Sequence, residues 1–154
     1  MVPLIKVTLL LVTAAAASMI LSVDRSKTRT VAEEAQPVIV EWKKDLESSQ
    51  INYTRGFNRL SKVEISKLGN NLSGESDKSD GSIEVSVDQL ERGPYSLRGT
   101  IYHELGHSVF NLRHGSCKMM RSIAYTESEY RDHWSELVAE YLAACKEKEF
   151  EARY

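Results

Sequence analysis

Hydrophobic residues recur at helical spacing from Val31 to Leu46, where Val31, Ala35, Val38, Ile39, Trp42 and Leu46 are set among Glu33, Glu34, Lys43 and Lys44. The pattern predicts an amphipathic first helix, kinked near Pro37 because proline has no N–H to give the helix ladder. From Val63 to Leu68 apolar and polar residues alternate, and Ile83, Val85 and Val87 repeat the alternation around Glu84 and Ser86. Both segments predict half-buried strands. Between them, Gly69 to Gly81 holds Asn70, Asn71, Ser73, Gly74, Ser76, Asp77, Ser79 and Asp80, a loop composition. The break at Gly93-Pro94, with Ser96 as candidate N-cap, precedes a helix from about Leu97 to Phe110. A last helix runs from about Glu129 to Phe150, its apolar face formed by Trp134, Leu137, Val138, Tyr141, Leu142 and Cys145. There is no internal repeat, and the order of elements predicts an α+β fold.

The first residues follow a different pattern. Lys6 precedes an apolar run from Val7 through Leu21 that contains the small residues Ala14 to Ser18. This is the layout of an export signal, with cleavage after Ala16 or Ala17. A membrane anchor is the rival, because Val7 to Val23 reaches the lower limit of about 17 residues for a spanning helix. Arg25, Lys27 and Arg29 after the run outnumber Lys6 before it, which disfavours an uncleaved anchor with its N-terminus inside. The chain therefore divides into a signal peptide or membrane anchor over 1–23 and one domain over 24–154, exported to the periplasm or medium or held at the membrane.

Composition narrows the function. In 154 residues, 20 Lys and Arg against 22 Asp and Glu give a formal charge of -2, so no basic field exists to recruit nucleic acid. A hydrophobic content of 42% is enough for a globular core. The two cysteines, Cys117 and Cys145, would meet an oxidising compartment after export, where they either pair or stay as buried thiols.

The chemistry concentrates at His103-Glu104-Leu105-Gly106-His107. Histidines at i and i+4 of a helix lie one turn apart on one face and can converge on a single small cation. Glu104 beside them can take the proton of a metal-bound water as it attacks a peptide carbonyl, which is the H-E-x-x-H arrangement of zinc peptidases. Leu97, Ile101, Leu105 and Leu112 form an apolar stripe opposite the histidines. Gly106 costs about 1 kcal/mol against alanine inside a helix, a sacrifice that close approach of another group would explain. Of the four histidines in the chain, three fall between positions 103 and 114, which favours a site over a chance motif.

A catalytic zinc needs a third protein ligand, and the candidates are His114 and Glu136. If the helix ran unbroken to position 114, His114 would lie about 10 Å beyond His107 along the axis and could not share the metal. The chain must turn back first, and Asn111 is the residue there best able to take the left-handed conformation that ends a helix. Gly115 then frees the chain after His114. With His103, Glu104, His107 and His114, and with Met119 or Met120 as a turn methionine, this stretch resembles the metzincin peptidases. Their motif is H-E-x-x-H-x-x-G-x-x-H, followed by a methionine-containing turn beneath the zinc. Phe110 stands at the motif's glycine, and His114 comes seven rather than six residues after His107. The stretch is also similar to small exported bacterial metallopeptidases, in which an asparagine four residues after the second histidine precedes a third histidine at this longer spacing and a Ser-Ile-Met turn follows. Here Ser122-Ile123-Ala124 leaves the methionine role to Met119 or Met120. Glu136, with Glu140 at i+4, instead resembles the gluzincins, which take a glutamate from a second helix.

Other residues carry weaker claims. Tyr125 is a candidate oxyanion donor, His133 a candidate transition-state donor and Asp132 a candidate orienter of a ligand histidine, against packing or surface roles for each. The strand around Ile83, Val85 and Val87 is a candidate cleft edge, to which an extended peptide could add. The resemblance implies a zincin-like α+β domain: a first helix, a small sheet, the H-E-x-x-H helix, a methionine-turn segment and a closing helix. It implies a zinc metalloendopeptidase acting on peptide or protein substrates, with Zn2+ on His103, His107 and His114 and Glu104 as base. The alternatives are Glu136 as third ligand or a non-enzymatic exported zinc-binding module.

Overall fold

The computed structural model describes residues 29–152, so the export or anchor segment of 1–23 lies outside the described residues. The chain builds a four-stranded sheet and five helices: β1 (Thr30–Val31), α1 (Gln36–Ser48), α2 (Thr54–Phe57), β2 (Lys62–Ser66), β3 (Gly74–Asp77), β4 (Ser82–Ser86), α3 (Val87–Arg92), α4 (Pro94–Phe110) and α5 (Glu127–Glu151). Short 3₁₀ turns occur at Glu33–Ala35 and Lys118–Met120. The architecture is α+β, as the hydrophobic pattern predicts. None of the described helices is long and apolar enough to cross a membrane.

The sheet order is β1-β2-β4-β3, with β1, β2 and β4 parallel and β3 antiparallel to β4 at the edge. The register pairs Val63 with Ile83 and Ile65 with Val85, which puts Val63, Ile83 and Val85 fully inside. Helix α4 packs against the sheet, α1 and α5. Ile101, Tyr102 and Leu105 of α4 meet Trp42 and Leu46 of α1 and Leu137 and Tyr141 of α5 in one core. Two polar contacts, the first buried and the second part-buried, fix the registers of these helices: the Trp42 indole N–H donates to the Tyr141 hydroxyl at 3.0 Å, and the Tyr102 hydroxyl donates to Asp45 at 2.7 Å.

Several boundaries differ from the sequence expectation, each for a local reason. Val31 belongs to β1, and the Ala32 N–H bonds the Val63 carbonyl, so the first helix starts later than its hydrophobic pattern. Pro37 occupies the first turn of α1, where its missing N–H is unneeded, and starts the helix instead of kinking it. Val87 is not a strand residue: the Ser86 hydroxyl accepts the Asp88 N–H at 3.3 Å and caps α3 there. Ser96 is not an N-cap. Helix α4 begins at Pro94, and its free N–H groups at Tyr95 and Ser96 donate to the Glu127 carboxylate at 3.4 and 2.7 Å. Leu112 lies beyond the end of α4, although it is buried with the stripe. Helix α5 opens on a reciprocal capping box between Thr126 and Glu129.

The largest correction concerns the segment 69–81, which the composition reads as loop. Its centre is β3, the edge strand of the sheet, and β4 lies inside between β2 and β3. The edge that faces the histidines is therefore β3, not the strand of Ile83 and Val85.

Candidate metal centre

Helix α4 carries His103 and His107 one turn apart and ends at Phe110. Asn111 takes the left-handed conformation (φ 56°, ψ 32°), and the Leu112 N–H bonds back to the Gly106 carbonyl at 3.0 Å. A side chain that can sit in the left-handed region is what lets the chain reverse here. The turn brings the Leu112 carbonyl to His107. Past His114, Gly115 (φ 84°) donates its N–H to the Met120 carbonyl at 2.9 Å, which closes the excursion against the 3₁₀ turn Lys118–Met120.

The two helix histidines are oriented by main chain. His103 Nδ1 lies 2.9 Å from the Met119 carbonyl, and His107 Nδ1 lies 2.7 Å from the Leu112 carbonyl. A carbonyl only accepts, so both Nδ1 atoms carry the proton and both Nε2 atoms present a lone pair. His103 Nε2 stands 3.0 Å from His107 Nε2 and 3.3 Å from His114 Nε2. One nitrogen from each of the three histidines lies within 4.8 Å of the others. Zinc held tetrahedrally by imidazoles at its usual bond lengths separates ligand nitrogens by about 3.3 Å, so these residues fit the metal. Burial pushes the His103 imidazole down to about 4, against the Met119 hydrogen bond that raises it; His107 and His114 lower it further. Burial also lowers His107, with the charge of Lys78 acting in the same direction. Neutral rings with inward lone pairs are the form a cation requires.

Glu104 is 5% exposed, between α4 and β3. Burial pushes its carboxyl up to about 7; a hydrogen bond from Ser76 opposes that shift, and the charge of Glu75 adds to it. Gly74 admits this carboxyl: a Cβ there would lie 2.9 Å from the Glu104 Cγ and Oε1 and from the Thr100 Cγ2. Gly106 has a comparable reason, since a Cβ would stand 2.8 Å from the Met120 sulfur. The group whose close approach explains this helical glycine is thus a methionine of the turn beneath the histidines. Met119 and Met120 are both buried, the first orienting His103 through its carbonyl and the second filling the space under Gly106.

The histidines and Glu104 open into a cleft of about 650 Å³ between β3 and the segment 121–124. Glu136 is outside it: its carboxylate, half exposed, pairs with Lys118, and Glu140 holds the same ammonium at 2.8 Å. It is 3.8 Å from His133, itself 61% exposed. Glu136 is thus not among the residues that cluster with His103 and His107. Asp132 pairs with its neighbour Arg131 at the surface, at 3.2 Å, and orients no histidine. Tyr125 packs under the Arg121 guanidinium, 3.8 Å from its ring centre, and edge-on to Tyr130; it is Tyr130 that lines the cleft. Cys117 and Cys145 are both free, and burial raises each thiol. Sequence reasoning missed Ser76, Gly74 and Tyr130. Only the helical spacing of Tyr130 on α5 carried a signal, and it pointed to the core.

Comparison of the chain with protein-family models, curated proteins and solved structures returns no match.

Proposed function

We propose that the protein is a zinc-dependent metalloendopeptidase of zincin-like architecture, with the metal held by His103, His107 and His114. The observation that carries the reading is the convergence of one ring nitrogen from each of three histidines within 4.8 Å, with His103 Nε2 3.0 Å from His107 Nε2 and 3.3 Å from His114 Nε2, and with His103 and His107 in a tautomer fixed by main-chain carbonyls. When bound, zinc supplies a polarised carbonyl and a water acidified toward pKa ~7. Glu104, one residue along the helix, would serve as the general base toward a water held there and would carry the proton to the leaving amine. The Ser76 hydroxyl holds the Glu104 carboxylate during the transfer. Strand β3 pairs on one side only, and its other edge offers backbone groups to an extended peptide. Residues 1–23 would export or anchor the enzyme where its substrates are.

The test uses the full chain. Zinc stoichiometry is measured beside hydrolysis of an unfolded protein, with Glu104→Gln as the control. The reading expects about one zinc per chain in both proteins and cleavage in the unsubstituted one alone. Zinc retained without Glu104-dependent cleavage would leave only a zinc-binding module, and no zinc would remove both.

A further inference from the structure

The cleft carries positive charge that the chain as a whole does not, since the full sequence has a formal charge of -2. Arg92, Lys78 and Arg121 line it, against Glu75 as the one carboxylate besides Glu104. None of the three cations forms an ion pair among the described residues. Lys78 donates to the Asn111 side-chain carbonyl, and Arg121 to the Ile123 and Ala124 carbonyls. Arg92 is exposed and reaches no hydrogen-bond acceptor among the described residues.

Their placement is ordered. Arg92 ends α3, immediately before α4 begins, and Lys78 follows β3 and reaches Asn111, where α4 ends. The two cations therefore stand toward opposite ends of the helix that carries His103, Glu104 and His107. Two unneutralised cations along one groove are complementary to carboxylates.

We propose that the cleft takes an acidic polypeptide segment, with a carboxylate on one side of the scissile bond read by Arg92 and one on the other side read by Lys78. The inference rests on the peptidase reading and deepens it to a substrate class. Arg92 and Lys78 act on selection and do not take part in the proton transfer. Because the rim is exposed, their attraction for the peptide falls as salt rises.

The experiment uses the full chain and three fluorogenic peptides of one length, with aspartate and glutamate, serine, or lysine at the positions flanking the centre. Cleavage is measured for the unsubstituted protein, Arg92→Glu and Lys78→Glu, with Arg92→Ala and Lys78→Ala as uncharged controls. Binding is measured on Glu104→Gln by fluorescence anisotropy. The unsubstituted protein should cut the acidic peptide fastest and the lysine peptide slowest. Each charge reversal should lower kcat/KM on the acidic peptide about tenfold and raise it on the lysine peptide. Equal rates on all three peptides, or an acidic preference that survives both reversals, would overturn the inference. Failure of the peptidase reading looks different: no peptide is cut in a Glu104-dependent way. Even then, binding that ranks the acidic peptide first upholds the charge selection, while binding that ranks no peptide first overturns it.

Discussion

Zinc should stabilise the fold by an amount that His114 controls and Glu136 does not. A ligand that binds only the folded chain adds RT ln(1 + [L]/Kd), about 2.7 kcal/mol when free zinc is a hundred times Kd. The described domain, ~125 residues, unfolds with an entropy of about 0.26 kcal/mol/K, so the shift in Tm is about 10 °C. The Met119 and Leu112 carbonyls hold His103 and His107 in place. Most of the binding energy is then spared the ordering of ligands. His114 is exposed, so His114→Ala should leave the Tm of the chelator-treated protein within about 1–2 °C, a surface-scale effect. It should nevertheless remove most of the zinc-dependent shift. Glu136→Ala breaks only an exposed contact with Lys118 and should keep the full shift. Differential scanning calorimetry with a zinc buffer series, and with a chelator as zero point, measures all three proteins. A Tm that zinc does not move, or a shift lost in Glu136→Ala and kept in His114→Ala, would refute the ligand assignment.

Further outcomes follow from single contacts. Gly74→Ala should lower kcat/KM about ten- to a hundredfold while zinc stoichiometry stays at the unsubstituted value, because the added Cβ meets Glu104 and Thr100 first; steady-state kinetics beside metal analysis checks it. Tyr141→Phe leaves the Trp42 indole N–H unpaired in the core and should cost about 1–3 kcal/mol in urea unfolding. The Glu129 carboxyl is held below its ordinary value by hydrogen bonds from the Thr126 N–H and hydroxyl, so its contribution to stability is present above the unfolded carboxyl pKa and lost as pH falls through the lower, folded one. Thermal unfolding from neutral to acid pH should therefore lose less in Glu129→Ala than in the unsubstituted protein.

The three long helices were legible because their signals are local, whereas the short α2 and α3 were not. Apolar spacing along α1, α4 and α5 survives whatever else packs on them, and Asn111 announces the end of α4 by its own conformational preference. Strand β3 was not legible, and the reason is its neighbour. Gly74 and Ser76 face Glu104, so the inward positions of this strand must be small and polar where an ordinary strand is apolar. A strand that packs on a buried carboxyl loses the alternation by which strands are found and takes on the composition of a loop. The orienting groups of the histidines were hidden for a different reason. They are carbonyls of Leu112 and Met119, which every residue type possesses, so a search among side chains could offer no better candidate than Asp132, already weighed against a surface role.

The two departures from the metzincin motif reduce to one. Measured from His107, Phe110 displaces the motif's glycine and His114 arrives a residue late. Measured from the residue that turns the chain, nothing is displaced: Asn111 is left-handed, and His114 follows it by three residues, the same interval that separates glycine and histidine in the motif. The helix runs one residue past the motif's glycine position, and the turn and the third histidine move together. Asparagine can stand in for glycine there because it tolerates the left-handed region, and its carbonyl accepts the Lys78 ammonium across the cleft. The added residue also puts Leu112, buried with the core, where its carbonyl meets His107. In this segment the left-handed residue and the third histidine are placed relative to each other, three residues apart.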